Sequence, residues 1–258
     1  MFMAGIIPGL LIGVSLILFA WWQSRRDGQK PQSERISGRE ALVILWDAKW
    51  ALLVPVIILG GIYGGIFTPT EAAAVGVAYG LIVGLFIYRE LKLRTLYKIF
   101  ASAALTTATV MLIVGTATVF GRVLAIERIP AMLAELVTET VSNPLVLLAI
   151  LNVLLLIIGT FMETLAAIII MTPILLPLVT ALGISPEHFG IIMIVNLAIG
   201  MVTPPVGVNL FVASRVAQIS LTDVIRGAMR PLVLLLILLL IITYVPGLSL
   251  WLPSLLGM

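Results

Sequence analysis

The chain has 258 residues, 61% of them hydrophobic and only 10% charged, with a net charge of +3 at pH 7. Soluble domains carry about a quarter charged residues, so this balance and a mean hydropathy of +1.23 exclude a water-soluble globule and indicate a helical membrane protein. Cysteine is absent and His188 is the single histidine, which excludes disulfides, thiolate or multi-histidine metal sites and a cysteine nucleophile.

The first expected span covers 2–22, "FMAGIIPGLLIGVSLILFAWW". Its length and the basic "QSRRDGQK" behind it fit a membrane crossing better than a signal peptide, and with its linker it makes up residues 1–36. In 37–50, "SGREALVILWDAKW", apolar residues alternate with charges at helical spacing, which predicts an amphipathic helix on the membrane surface. Two apolar runs, 51–67 and 70–88, flank "FTPTEAAA", where Thr70 is the expected N-cap ahead of Glu71. With the basic stretch behind them they make up 51–98, and the glycines of "GGIYGGIF" suit close helix packing. Residues 99–143 hold a further span over 99–126 and an external segment, with Arg122, Glu127 and Arg128 expected as a salt-bridged rim.

Residues 144–183 form an apolar run of about 40 residues with Gly159, Thr160, Glu163 and Thr164 near its centre. A single helix of that length would measure roughly 60 Å, twice the hydrocarbon core, so two crossings or one re-entrant hairpin fit better. Residues 189–214 contain "GMVTPPVGVN", where two adjacent prolines and two glycines break an apolar helix. Together 144–214 form one expected unit, and 215–258 a connector with a last apolar run at 231–253.

Thirteen of the 15 basic residues fall in 23–50, 89–98 and 215–230. Those segments are therefore expected in the cytoplasm, and the basic pI reports topology rather than nucleic-acid binding. Parity then starts and ends 144–183 outside and puts the C-terminus outside. Two full crossings would place the "GTFMET" turn in the cytoplasm, yet it carries no Lys or Arg. The hairpin, with its tip inside the membrane, is preferred.

Irregular backbone at membrane depth is tolerated where it lines a polar cavity, and there freed carbonyls and half-helix ends bind ions and polar substrates. The tip and the break are such stretches. Glu163, just ahead of "LAAIII", is either a proton-relay or ion-site carboxylate or the cap of the returning helix, with capping and holding the tip in shape the preferred expectation, and His188 is expected to be a loop residue. An intramembrane enzyme would need paired aspartates, a histidine pair or a Ser–His dyad, whereas Asp27, Asp47 and Asp223 all lie in cytoplasmic segments.

The runs "GGIYGGIFTPTEAAAVGVAYGL", "GTFMETLAAIIIMTPILLPL" and "NLAIGMVTPPVGVNLFVAS" resemble the large membrane subunit of TRAP transporters, the tripartite ATP-independent periplasmic family. The opening "FMAGIIPGLLIG" resembles the helix that ends the first half of that subunit. The resemblance implies an all-α polytopic, ion-transporter-type elevator fold, with this chain as the second inverted repeat and an earlier repeat preceding it in the longer family members. It implies sodium-driven uptake of an organic acid (a C4-dicarboxylate, sialic acid or related carboxylate) across a bacterial inner membrane, with a periplasmic binding protein and a small membrane subunit as partners. Spans in 1–98 would form the scaffold and 37–50 an arm. Gly159, Thr160, Thr164, Gly200, Thr203 and Gly207 would frame a sodium site. Thr203, Pro204, Pro205 and Asn209 would contribute to the substrate site. The competing expectation is a secondary transporter of the same fold that needs no binding protein.

Overall fold

The computed structural model describes residues 1–28, 37–129, 132, 135 and 143–255. Lys30, Arg35 and most of the expected external segment after residue 126 lie outside the described residues. All regular structure among the described residues is helical, and six helices are long and apolar enough to cross a membrane. The chain divides into two compact units, Met1–Gly28 with Thr109–Met258, and Gln29–Ala108.

The Gln29–Ala108 unit contains α2 (Gly38–Asp47), α3 (Lys49–Tyr63) and α4 (Pro69–Ile82), the last prolonged by a π-helical turn to Ile87. Helix α2 starts at a capping box in which Ser37 N–H donates to Glu40 at 2.8 Å. Its Leu42, Val43, Leu45 and Trp46 are all exposed, as a surface-lying helix requires. The cap of α4 is Thr68, not Thr70. Pro69 occupies the first helical position, and Thr68 and Glu71 form a reciprocal box with Thr68 N–H donating to Glu71 at 2.8 Å. Gly76 leaves room for Ile58 of α3, since a Cβ there would stand 2.9 Å from its Cδ1. Tyr79 OH donates to Trp50 O at 2.9 Å and Tyr88 OH to Asp47 O at 3.1 Å, pinning the α2–α3 corner to α4. Lys49 Nζ sits 3.9 Å from the Trp46 ring centroid, a pairing suited to the headgroup zone.

Helix α5 (Leu93–Ile126) runs out of that unit into the other one. The larger unit also holds α1 (Phe2–Arg26), α6 (Pro144–Phe161), α7 (Thr164–Ala181), α8 (Pro186–Gly200), α9 (Val208–Ala217), α10 (Leu221–Tyr244) and α11 (Gly247–Leu255). Helix α8 is its centre. It packs on α6 and α7 through Leu151, Leu155, Ala167, Phe189, Ile192 and Leu197. It packs on α1 and α10 through Ala4, Ile191 and Ile242, and again on α10 through Ile199 and Leu239. Because lipid tails are as apolar as leucine, such contacts act in a membrane through close packing more than through hydrophobic transfer.

Local signals explain where these helices begin. Pro144 and Pro186 take first positions behind the N-caps Asn143 and Ser185, and Ser220 caps α10 by accepting from Asp223 N at 3.2 Å. That cap corrects the expected last span. The helix starts ten residues before 231, so Arg226 and Arg230 ride on α10 rather than in a connector, and it ends at Tyr244, with the rest of the run in the separate α11. Of the expected rim, no ion pair joins Arg122, Glu127 and Arg128 to one another among the described residues, whereas Arg226 pairs with Asp223 on α10 at 3.7 Å.

Candidate ion and substrate site

The polar centre of 144–183 is a sharp turn. Helix α6 ends at Phe161, Met162 and Glu163 adopt extended backbone, and α7 starts at Thr164. Glu163 is the N-cap of α7, and its carboxylate accepts from Ala166 N at 3.1 Å. The break is equally local. Helix α8 stops at Gly200, residues 201–207 are irregular with a cis Pro204–Pro205 bond, and α9 restarts behind Gly207 at φ +50°. Glycine is required there: a Cβ would lie 2.9 Å from Thr203 O and 2.8 Å from Leu210 Cδ1, on a backbone that L side chains rarely adopt.

Turn and break touch. A Cβ on Gly200 would stand 2.6 Å from both Cα and C of Gly159, and one on Gly159 would stand 2.9 Å from Leu197 O. The two helix ends thus cross backbone to backbone, and only glycine at both positions allows it. Thr164 Oγ1 reaches across to Met201 Sδ at 3.0 Å. Thr160 and Thr203 are turned back on their own helices, donating to Ile157 O and Ile199 O, each at 2.7 Å. Both hydroxyl oxygens keep acceptor capacity. Asn209 donates its backbone N–H to Met201 O at 3.1 Å and leaves its side chain exposed, as is Pro205.

The carbonyls matter most for a cation. No backbone N–H among the described residues reaches those of Gly159, Thr160 and Phe161 at the turn, or of Thr203, Pro204, Pro205 and Val206 at the break. The free carbonyls at the turn belong to α6, whereas at the end of α8 those of Leu197, Ile199 and Gly200 accept from Met201, Val202 and Thr203 N–H and the free ones lie in the irregular stretch beyond it. By their macrodipoles α6 and α8 present negative ends here and α7 and α9 positive ones. Among the described residues no group of three acidic, histidine or cysteine side chains is suited to a metal ion. The crossing offers neutral oxygens, and the one carboxylate at the turn, Glu163, is engaged with Ala166 N. A separate apolar cavity of about 190 Å³, lined by Ile168, Thr172, Phe189 and Met193 among others, includes none of these residues.

Residues 1–248 match the family profile of the tripartite ATP-independent periplasmic transporter, DctM component. The chain belongs to the DctM family. That family is one of transporter permeases, not of enzymes. Its similarity to curated relatives spans different cargoes. It is 50% identical over 97% of its length to the isethionate TRAP transporter permease protein DctMQ of Oleidesulfovibrio alaskensis, covering 40% of that protein. It is 46% identical over its whole length to the C4-dicarboxylate TRAP transporter large permease protein DctM of Pseudomonas aeruginosa, covering 60% of it. It is 43% identical over 99% of its length to the sialic acid TRAP transporter large permease protein SiaM of Vibrio cholerae serotype O1, again covering 60%. This DctM chain thus spans at most about three-fifths of the length of these relatives.

Three residues of the DctM core escaped sequence reasoning. Asn152, Asn196 and Thr243 are buried in α6, α8 and α10 and linked by side-chain hydrogen bonds. The available signal was a lone amide at the middle of each of two apolar runs. His188 joins them. It is no loop residue but a buried member of the first turn of α8, with Nε2 3.1 Å from Thr243 O.

Proposed function

We propose that these residues are the second inverted repeat of the large subunit of a sodium-driven TRAP importer. The repeat contributes a re-entrant hairpin (144–183) and a broken helix (189–214) to a moving transport domain. One observation carries this reading: the turn ending α6 and the break ending α8 meet in backbone contact at Gly159 and Gly200, surrounded by unpaired carbonyls.

Depth supports the hairpin over two crossings. Helices α6 and α7 have 18 residues each, about 27 Å, so length alone would permit either. Helix α8, however, has 15 residues, so Gly200 lies only about 22 Å along it from the external loop at Ser185. The turn touches that point, and α9 continues for another 10 residues, about 15 Å, to the basic end at Arg215. With Ser185 outside and Arg215 at the cytoplasmic face, the turn stands at the end of α8 with the whole of 201–215 between it and that face.

At the crossing, Thr160, Thr164, Thr203 and the free carbonyl of Gly159 supply the neutral oxygens that suit sodium, joined by the carbonyls of Gly200 and Gly207, each of which accepts one N–H and keeps a second lone pair. The N-terminus of α9 has no side-chain cap. With Pro204, Pro205 and Asn209 beside it, it favours a carboxylate or sulfonate of the kinds named for the relatives. The remaining assignments follow the family: 1–36 and 51–98 in the scaffold, 37–50 as an arm, 99–143 and 215–258 flanking the moving unit, and the C-terminus in the periplasm of a bacterial inner membrane. The partners are a small membrane subunit and a periplasmic binding protein.

The test is uptake by the complete transporter in proteoliposomes. Thr203→Val raises the sodium concentration for half-maximal uptake, and Glu163→Gln leaves it unchanged. The reverse pattern, with Glu163→Gln switching coupling to protons, means that the carboxylate holds the ion and the assignment is wrong. Uptake at full rate without added binding protein would remove that partner from the reading.

A further inference from the structure

Helices α6 and α8 carry a polar contact where their core is otherwise aliphatic. Asn196 is wholly buried and Asn152 is 6% exposed. The Asn196 amide Nδ2 donates to both Oδ1 (2.7 Å) and the backbone O (3.0 Å) of Asn152. Asn152 in turn donates from Nδ2 to Thr243 Oγ1 of α10 at 3.0 Å. A structural role alone does not account for this arrangement. Among the described residues Asn196 Oδ1 meets no donor, and burying an unpaired acceptor costs stability that a leucine would not.

What the pair supplies is register. The two hydrogen bonds from the Asn196 amide to the side chain and backbone of Asn152 are lost if α6 rotates or slides against α8 by one residue. Gly159 lies two turns beyond Asn152 on the same face of α6, and Gly200 one turn beyond Asn196 on the same face of α8. Rigid helix carries the register from the amides to the glycine crossing, and the turn and the break begin immediately after it.

We propose that Asn152 and Asn196 are positioning residues, which set the separation of the turn and the break and so the affinity of the ion site between them. The proposal rests on the reading that this site binds sodium. Thr243 acts through Asn152 as its anchor on α10.

In the complete transporter with its binding protein, Asn152→Ala and Asn196→Ala each raise the half-maximal sodium concentration roughly three- to twentyfold, the span that a membrane-buried interhelical hydrogen bond supports. The double variant is worse than either single one but by less than the sum of the two, because the singles share only the loss of the bond from Asn196 Nδ2 to Asn152 Oδ1. Leu151→Ala is the comparator. It truncates the same core without a polar role, so it lowers the melting temperature and leaves sodium dependence alone. If the asparagine variants behave like Leu151→Ala, the proposal is overturned. Should the alanine variants not fold, Asn196→Ser is labelled with spin probes at cysteines replacing Phe161 and Val208, both exposed beside the site. A shifted or broadened distance distribution supports positioning, and an unchanged one overturns it. Failure of the underlying reading looks different, since Thr203→Val then has no effect on sodium dependence either.

Discussion

Gly200→Ala tests the crossing on which the site is built. The added Cβ would sit 2.6 Å from Cα and C of Gly159, about 0.9 Å inside an ordinary carbon–carbon contact of about 3.5 Å. The obstructing atoms are backbone, so no side chain can swing away, and the helices must separate by most of that distance. Overpacking of this kind costs about 1–3 kcal/mol, against a gain of about 0.5–1 kcal/mol from replacing a helical glycine by alanine. The net expectation is a loss of up to about 2.5 kcal/mol, with the turn and the break pushed apart. Gly227→Ala in α10 is the control, because nothing lies within 4 Å of a Cβ there and only the helix-propensity gain remains. The assay is the thermal midpoint of purified protein in detergent, paired with uptake at saturating sodium. Gly200→Ala is expected to melt lower than the parent and transport poorly, and Gly227→Ala to melt at or above it. If the two variants melt alike and both transport normally, the backbone crossing does not exist as described.

Gly207→Val should abolish uptake, because its Cβ meets Thr203 O at 2.9 Å on a φ of +50°, and expression with normal uptake would refute the strained restart of α9. Since the chain has no cysteine, single cysteines at Thr95, Ser185 and Gln218 report topology on a clean background. Labelling of Ser185 from the periplasm and of the other two only from the cytoplasm is expected, and cytoplasmic labelling at Ser185 would sink the hairpin.

The helical membrane character was readable because hydropathy and charge are summed over whole segments, and neither needs a partner to be known. Helix starts were readable where a cap and a proline occur together. Thr70 stands nearer the apolar run, but Pro69 marks a first helical position, which puts the cap one residue before it, at Thr68. The turn and the break stood out as polar or proline-rich patches in apolar runs, but their contact did not. Gly159 and Gly200 are 41 residues apart in sequence, and nothing local says that two glycines share one crossing. His188 was misread for the same reason. A histidine beside "SPE" looks like a loop residue until α10 brings the Thr243 carbonyl to its ring.

On the proposed reading, the arrangement of helix ends also explains why ion and acid would depend on each other. Four ends meet at one place: the carbonyl ends of α6 and α8 and the amide ends of α7 and α9. Glu163 already occupies the amide end of α7 through its bond to Ala166 N, so α9, behind the capless Gly207, is the amide end left free. A cation drawn to the carbonyl ends and an anion drawn to α9 would each gain about 0.3–1 kcal/mol from the helix termini, and up to about 2 where water is excluded. Each also lowers the field opposing the other. Linkage makes that gain reciprocal, so sodium should tighten acid binding by the same factor that the acid tightens sodium. A variant that removes the carbonyl ends from register, as Asn196→Ala is expected to do, should weaken that mutual factor while leaving the amide end of α9 intact. Coupling would then fall before acid recognition does, which separates a displaced ion site from a damaged substrate site.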